Sequence, residues 1–506
     1  MQHRLEQFFR ANATILLALI ALQIVVYSYF YFGPILTNHT FPNAWVVGYP
    51  SFKTLGEGRW LADLVILVQG SSGVQSLQMF VATALQAVNG VLFARLCGLT
   101  RPLHIGMAAA LLCLYPAFLD YYVFNIDHLT FVLGDTLALL GLRAALQNPP
   151  SLRALGRPAL FFMLATACYQ PKIALVATLC VIFFALSLTR QPASVTPQRV
   201  VRMAGYAIAL AVSGLLLYYL SMKLTVFYDI GQRAYMNTPA QILAESAAAY
   251  GHFLRYFWTG SAYLPLPLLG LPLIAVILGG LALFPRLAAT RGAQSLALLV
   301  VIVALPLALR ASYIINETTW DGAGRITFAY GYALIFFLIC LLQHVRLQKP
   351  GLGLIAVLAY FSAVEDAQET NAAAMKTEYD TAMINRIAAR IETVTPDLLQ
   401  TRHPIAIFGH YPAFPHERYL RSAAGLHWVH SQSATFEVYR QTEILNFFFG
   451  RDVVHSPITA QLAQAAAAVK TRPAWPAPQS VFVQNGTIIV LLEPYTDDLP
   501  RTWAAD

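Results

Sequence analysis

Residues 38–63 read NHTFPNAWVVGYPSFKTLGEGRWLAD. The stretch follows an apolar run, about Ala13 to Leu36, and mixes aromatics, Pro and Gly with Lys53, Glu57, Arg59 and Asp63. A polar loop placed directly after such a run is either a plug at a membrane surface or one wall of a site. The rest of the chain decides between them.

The chain has 506 residues, 57% hydrophobic and 11% charged, with mean hydropathy +0.56. Soluble domains carry roughly 25% charged residues, so this composition belongs to a polytopic membrane protein. The formal charge of +8 is spread over short connections rather than gathered in a patch, which argues against a nucleic-acid partner. Cys97, Cys113, Cys168, Cys180 and Cys340 lie in or beside apolar runs, with neither metal-ligand spacing nor a disulfide framework. The first run is long for a signal-peptide core and lacks a small-x-small cleavage site, so it reads as a retained anchor.

A crossing helix needs roughly 20 apolar residues. Candidate spans fall near 13–35, 76–97, 103–119, 128–147, 203–222, 263–284, 295–311, 326–344 and 351–365. The run 157–189 is broken by Tyr169-Gln170-Pro171-Lys172 and reads as a hairpin of two short helices. The fold class expected is an α-helical polytopic protein of about 11 crossings.

One set of connections carries Arg95, Arg101, Arg143, Arg153, Arg157, Arg190, Arg199, Arg202, Arg286, Arg291, Arg346 and Lys349, with no acid. The alternate set carries Glu57, Asp63, Asp120, Asp127, Asp229, Glu245, Glu317 and Asp321. Basic loops face the cytoplasm. The N-terminus is therefore expected inside, and the acid-bearing loops and everything after Asp366 outside.

The chain divides on composition into a membrane domain, 1–365, and a tail, 366–506. Counted from Glu365, the tail side holds 15 of the 25 acids and no span. Asn371 to Gln400 reads as a separate amphipathic helix, Ile405 to Phe408 as a strand and Ala460 to Val469 as a helix. Ser480 to Leu492 alternates around the turn signal Asn485-Gly486. A small extracytoplasmic α/β domain follows from this pattern.

Charged groups at the membrane boundary mark function by default. The outward face offers Glu57, Arg59, Asp63, Lys53 and Trp60 in the first loop, then Asp120, Asp127 and His128. Tyr169, Gln170 and Lys172 stand at the hairpin break, with Asp229, Arg233, Glu245, Arg255, Glu317, Asp321 and Arg325 further on. Each also has a structural reading. Arg59 and Asp63 are spaced as a helical i,i+4 pair, as are Asp321 and Arg325. Lys223 and Arg255 suit span ends, and Glu245 suits a solvated face. His128 and Asp135 are seven apart and share a helix face, so each is the other's natural partner. No P-loop, dinucleotide fingerprint, HExxH or GxSxG motif is present. No cofactor or metal is expected, and an outward reaction has no nucleotide available, so its donor must be lipid-borne.

Gly58-Arg59-Trp60, Tyr169-Gln170, the Gly324-Arg325 entry to a late span, Phe408-Gly409 and Trp475-Pro476 occur in an order that resembles a known family. The sequence is similar to the bacterial Gtr-type (glucosyl transferase II) polytopic glycosyltransferases linked to O-antigen modification. The resemblance implies a GT-C-like inverting enzyme of the inner membrane. Its donor is a polyprenyl-phosphate sugar, its acceptor a glycan hydroxyl on the periplasmic side, and membrane lipid is its medium. Such enzymes carry acids early in the first outward loop, whereas here residues 38–43 hold none.

Transfer from a lipid phosphate needs a base for the acceptor hydroxyl and cations for the departing phosphate. Glu57 is the first candidate base and Asp127 the second. Arg59, Lys172, Arg233 and Arg325 are candidate phosphate ligands, and Tyr169, Gln170, Trp60 and Asp321 candidate sugar or donor contacts. A transporter or flippase would also account for an intramembrane Asp135 and a broken hairpin, although no repeat relates the two halves. A glycan polymerase or ligase shares the outward site.

Overall fold

The computed structural model describes residues 2–33, 35, 50–69, 75–124, 126–148, 150–227, 236–258, 264–316, 324–410, 441–499 and 501–502. Arg233 and Asp321 lie outside these residues, as do His39, Trp45, Asp229, Glu317 and Trp428.

The chain opens with α1 (Gln2–Val26), α2 (Ser28–Phe32), α3 (Phe52–Leu55), α4 (Trp60–Gln69), α5 (Gln75–Leu96), α6 (Pro102–Cys113) and α7 (Leu119–Val123). There follow α8 (His128–Gln147), α9 (Gly156–Cys168), α10 (Lys172–Thr189), α11 (Pro197–Thr225), α12 (Pro239–Trp258), α13 (Leu271–Leu287) and α14 (Arg291–Leu309). Then come α15 (Ala311–Ile315), α16 (Gly324–Thr327), α17 (Ala329–Leu342) and α18 (Gln348–Val394). Among the described residues, seven helices are long and apolar enough to cross a membrane, or eight if the bent pair Pro102–Cys113 and Pro116–Val123 is one span. Leu271–Leu287 and Ala329–Leu342 are apolar but shorter. One apolar helix, α4, falls between the spans expected near 13–35 and 76–97.

Helix ends follow local chemistry. Thr196 accepts from the Arg199 amide at the start of α11, with Pro197 in the first turn, where its missing N–H is harmless. Between α9 and α10, Pro171 has no N–H to continue the helix and Tyr169 turns extended (φ −162°, ψ 117°). The hairpin break therefore forms where expected. Helix α8 packs against α5, α9 and α10, and α10 also packs against α11 and α14. Several basic connections tie helix ends together: the Arg95 guanidinium donates to Asn12 Oδ1 at 2.7 Å, and Arg286 to Gln343 Oε1 at 2.6 Å.

The last span and the amphipathic helix after it are not separate, contrary to expectation. Helix α18 is 47 residues long and continuous. At 1.5 Å per residue it runs about 70 Å, well beyond a bilayer core. The acids that break its hydropathy do not break its backbone, because no Pro or Gly falls after Gly353. They are buried instead: Asp366 is 0% exposed and accepts from Tyr27 Oη at 2.7 Å.

The described residues divide into two compact units, one holding most of the chain up to Ala367 and the other most of it from Gln368. The second unit contains β1 (His403–Phe408), α19 (Gln441–Phe449), β2 (Val454–His455), α20 (Thr459–Val469), β3 (Val481–Gln484) and β4 (Thr487–Leu491). The sheet order is β2-β1-β4-β3, with β1 parallel to β2 and β4, and β3 antiparallel to β4. Period-two alternation puts Ile405 and Ile407 on one face with Ile384, Ile387 and Ile391. Ala406 and Phe408 face the other way, with Leu462, Ala465 and Val469 of α20. A strand buried on both faces reads as a continuous apolar run, which is the IAIF pattern of β1. Asn485 (φ 50°) and Gly486 (φ 76°) both take left-handed backbone, joining β3 and β4 in the turn their residue types favour.

Candidate active site

The candidate groups meet in the first unit, where the start of α8, the α9–α10 break and the segment 51–60 come together. Asp127 occupies the residue before α8. Lys53 Nζ donates to both of its oxygens, each at 2.7 Å. The two side chains are 12% and 11% exposed, so the pair is largely but not completely covered.

Six residues along from Lys53, Arg59 Nε donates to Gln170 Oε1 at 2.6 Å, and its terminal nitrogen lies 3.1 Å from Glu57 Oε2. The guanidinium stands 4.9 Å above the Tyr169 ring. Gln170 donates through Nε2 to the Glu57 carbonyl, so one amide side chain grips both the backbone and the cation of this loop. Gly58 makes the turn possible with φ +69°, and a Cβ there would lie 2.7 Å from Met222 Cγ.

Arg325 reaches the same tyrosine from another element. Arg325 lies near enough to Tyr169 for its charge to act on the phenol; its guanidinium lies 4.2 Å over the Phe124 ring while its backbone N–H donates to Asp120 Oδ2 at 3.0 Å. Burial pushes the Tyr169 phenol up, against the opposing pull of Arg325 and Arg59, so it remains neutral. Its ring packs 4.5 Å from Phe131 of α8. Two guanidinium groups thus act on one buried tyrosine, with Glu57, Asp120 and Asp127 in the same neighbourhood.

Other expectations are corrected. Asp63 does not pair with Arg59. Its carboxylate accepts from Ser51 N at 2.6 Å, Ser51 Oγ at 2.6 Å and Thr54 Oγ1 at 2.7 Å, and so holds the turn before α4. Asp135 does not pair with His128. Its Oδ1 is 2.6 Å from Lys172 Nζ, while His128 stacks on Tyr122 at 4.3 Å between ring centroids. Lys172 is 0% exposed and is engaged in that pair and with Tyr121 Oη at 2.5 Å. Trp60 sends its indole N–H to Ser221 Oγ at 3.2 Å, anchoring α4 to α11. Glu245 is not simply solvated: it meets Arg310 at 3.2 Å.

Lys53 and Asp120 were visible in the sequence only as loop charges. Their partners lie 74 and 205 positions away, a distance over which spacing carries no signal. Among the described residues no cluster of His, Cys, Asp or Glu is arranged to hold a metal ion.

The seven described helices long and apolar enough to cross a membrane, beside a partly covered set of cations, carboxylates and aromatics, mark a membrane protein. The sequence model of the glucosyl transferase GtrII family matches residues 42–358, and the chain belongs to that family. The match takes in every site residue named above and ends at residue 358, short of Gln368, from which most of the second unit is drawn. Comparison with curated proteins and with solved structures gave no match.

Proposed function

We propose that the protein transfers a glucosyl group from a polyprenyl-phosphate carrier to a hydroxyl of a cell-surface glycan such as O-antigen or lipopolysaccharide, with inversion at the anomeric carbon. The observation that carries this reading is that Arg59 and Arg325 both act on Tyr169, Arg59 from 4.9 Å over its ring, with Glu57 3.1 Å from Arg59. Guanidinium groups match the geometry of phosphate oxygens. In the step proposed, the acceptor oxygen bonds to the anomeric carbon as Glu57 takes its proton. The bond from that carbon to the phosphate oxygen breaks, and Arg59 and Arg325 take up the charge on the departing lipid phosphate. Tyr169 and Gln170 hold the two cations in register. Arg233 and Asp321 remain further donor contacts offered by the sequence.

The reaction is assigned to the periplasmic side of the inner membrane, with the N-terminus cytoplasmic and the second unit periplasmic. The acid-free, basic connections support this orientation. Seven long helices, the bent pair and the shorter apolar α4, α13 and α17, with α9 beside α10 in the hairpin, support a GT-C-like arrangement of many crossings. The test is reconstitution in lipid vesicles with polyprenyl-phosphate [¹⁴C]glucose and a lipopolysaccharide acceptor. Addition of single glucosyl residues is expected. Movement of the donor across the bilayer without transfer, or formation of a glucose polymer, would overturn the reading in favour of a transporter or a polymerase.

A further inference from the structure

The Lys172 ammonium is fully buried and is met from three parts of the chain at once. Asp135 of α8 lies 2.6 Å away, the Tyr121 hydroxyl of α7 accepts at 2.5 Å, and the Phe328 and Tyr121 rings stand 3.9 and 4.6 Å from it. The Tyr121 hydroxyl in turn donates to Asp135 Oδ2 at 3.4 Å. Gly134 leaves room for this packing, since a Cβ there would lie 3.1 Å from Lys172 Cε.

Each residue around the ammonium is a near neighbour in sequence of a site residue. Tyr121 follows Asp120, which accepts from the Arg325 backbone. Phe328 stands three residues after Arg325 itself. Asp135 lies two turns along the helix that Asp127 begins. The Lys172 backbone N–H donates to the Tyr169 carbonyl at 2.9 Å, so Lys172 closes the turn that presents Tyr169 and Gln170 to Arg59. A change at the ammonium therefore reaches both guanidinium groups, through Gln170 on one side and Phe328 on the other.

We infer that Lys172, with Asp135 and Tyr121, is a positioning residue that sets the spacing of Arg59 and Arg325 without touching the donor. This rests on the proposed glucosyl transfer. Removing one partner of a buried ion pair leaves an uncompensated charge, whereas replacing both with apolar groups of similar volume often preserves the fold. The informative variant is therefore the double replacement Lys172→Met with Asp135→Leu.

Two measurements on the full-length protein test it. In detergent, hydrogen exchange at residues 169–172 and 324–328 should rise at least tenfold in the double variant while α5 and α11 stay as protected as in the parent. In the vesicle assay, kcat should fall at least tenfold, and that fall should exceed any rise in the KM for the lipid-phosphate donor. A donor KM raised tenfold at unchanged kcat would make Lys172 a phosphate ligand and overturn the inference, as would parental exchange and turnover together. If the double variant does not fold, Tyr121→Phe, which keeps the ring and removes the hydroxyl, should reproduce the exchange change and the kcat loss in smaller measure. Parental values in that variant also overturn the inference. A parent that transfers no glucose counts against the proposed function alone, because the exchange measurement does not depend on turnover.

Discussion

Lys53 holds both carboxylate oxygens of Asp127 at 2.7 Å, whereas the Glu57 carboxylate meets Arg59 at the longer distance of 3.1 Å. The difference separates the two candidate bases. A base must approach the acceptor hydroxyl, and at Asp127 that hydroxyl would have to share both oxygens with an ammonium held at 2.7 Å. General-base catalysis contributes about 10²–10⁴-fold. Glu57→Gln is therefore expected to lower kcat at least about 100-fold, with protein level and thermal unfolding in detergent close to the parent. Asp127→Asn should lower it far less. Full turnover by Glu57→Gln in the vesicle assay would remove Glu57 from the base position.

Arg59 and Arg325 share Tyr169, so their effects on the donor should couple. A guanidinium presents two parallel N–H groups to a phosphate, and a lysine presents one point charge. Arg59→Lys also loses the Nε–H that Gln170 accepts. Each single lysine variant should raise the donor KM about tenfold, on the order of 1.4 kcal/mol. The double variant should depart from the product of the singles, as residues with a shared partner do. Strict multiplicativity in a double-mutant cycle would show that the two cations bind independently.

Asp63 separates stability from chemistry. Its carboxylate satisfies Ser51 N, Ser51 Oγ and Thr54 Oγ1, and it is 2% exposed. Hydrogen bonds to charged groups are worth about 1.5–3 kcal/mol each, and orphaned buried donors add to the loss. Asp63→Ala should destabilise the protein by about 3 kcal/mol or more. The donor KM of whatever fraction folds should be unchanged. A KM shift without a stability loss, read by thermal unfolding beside the transfer assay, would give Asp63 a role at the donor instead.

The sequence made some of this structure readable and hid the rest for identifiable reasons. The spans of α5, α8, α10 and α14 are legible because lipid demands uninterrupted apolar residues. Pro171 marks the hairpin break, and Asn485-Gly486 marks the β3–β4 turn, since each residue type restricts its own backbone. The continuity of α18 is not legible, because Glu365, Asp366 and Glu369 end the hydropathy signal without ending the helix. The site shows the same limit. Glu57, Arg59, Tyr169, Gln170 and Arg325 stand out as polar groups at span ends, but their pairing is set by tertiary packing. Asp135 illustrates this: helical spacing offers His128, and packing supplies Lys172 from 37 positions away.

Gly58 gives a final prediction, because its two constraints can be separated. Its φ of +69° is left-handed, which costs an L-residue roughly 1–2 kcal/mol. Independently, a Cβ there would sit 2.7 Å from Met222 Cγ and 3.3 Å from Val226 Cγ2. Gly58→Ala should therefore destabilise the protein by more than the backbone term alone. Since residues 57 and 59 carry the carboxylate and the guanidinium, turnover should fall as well. Adding Met222→Ala removes the closest contact but neither the one to Val226 nor the strained φ, so the double variant should recover part of the stability and leave a deficit of at least about 1–2 kcal/mol. Complete recovery would mean that side-chain crowding alone reserves this position for glycine, and no recovery would mean that the backbone conformation does.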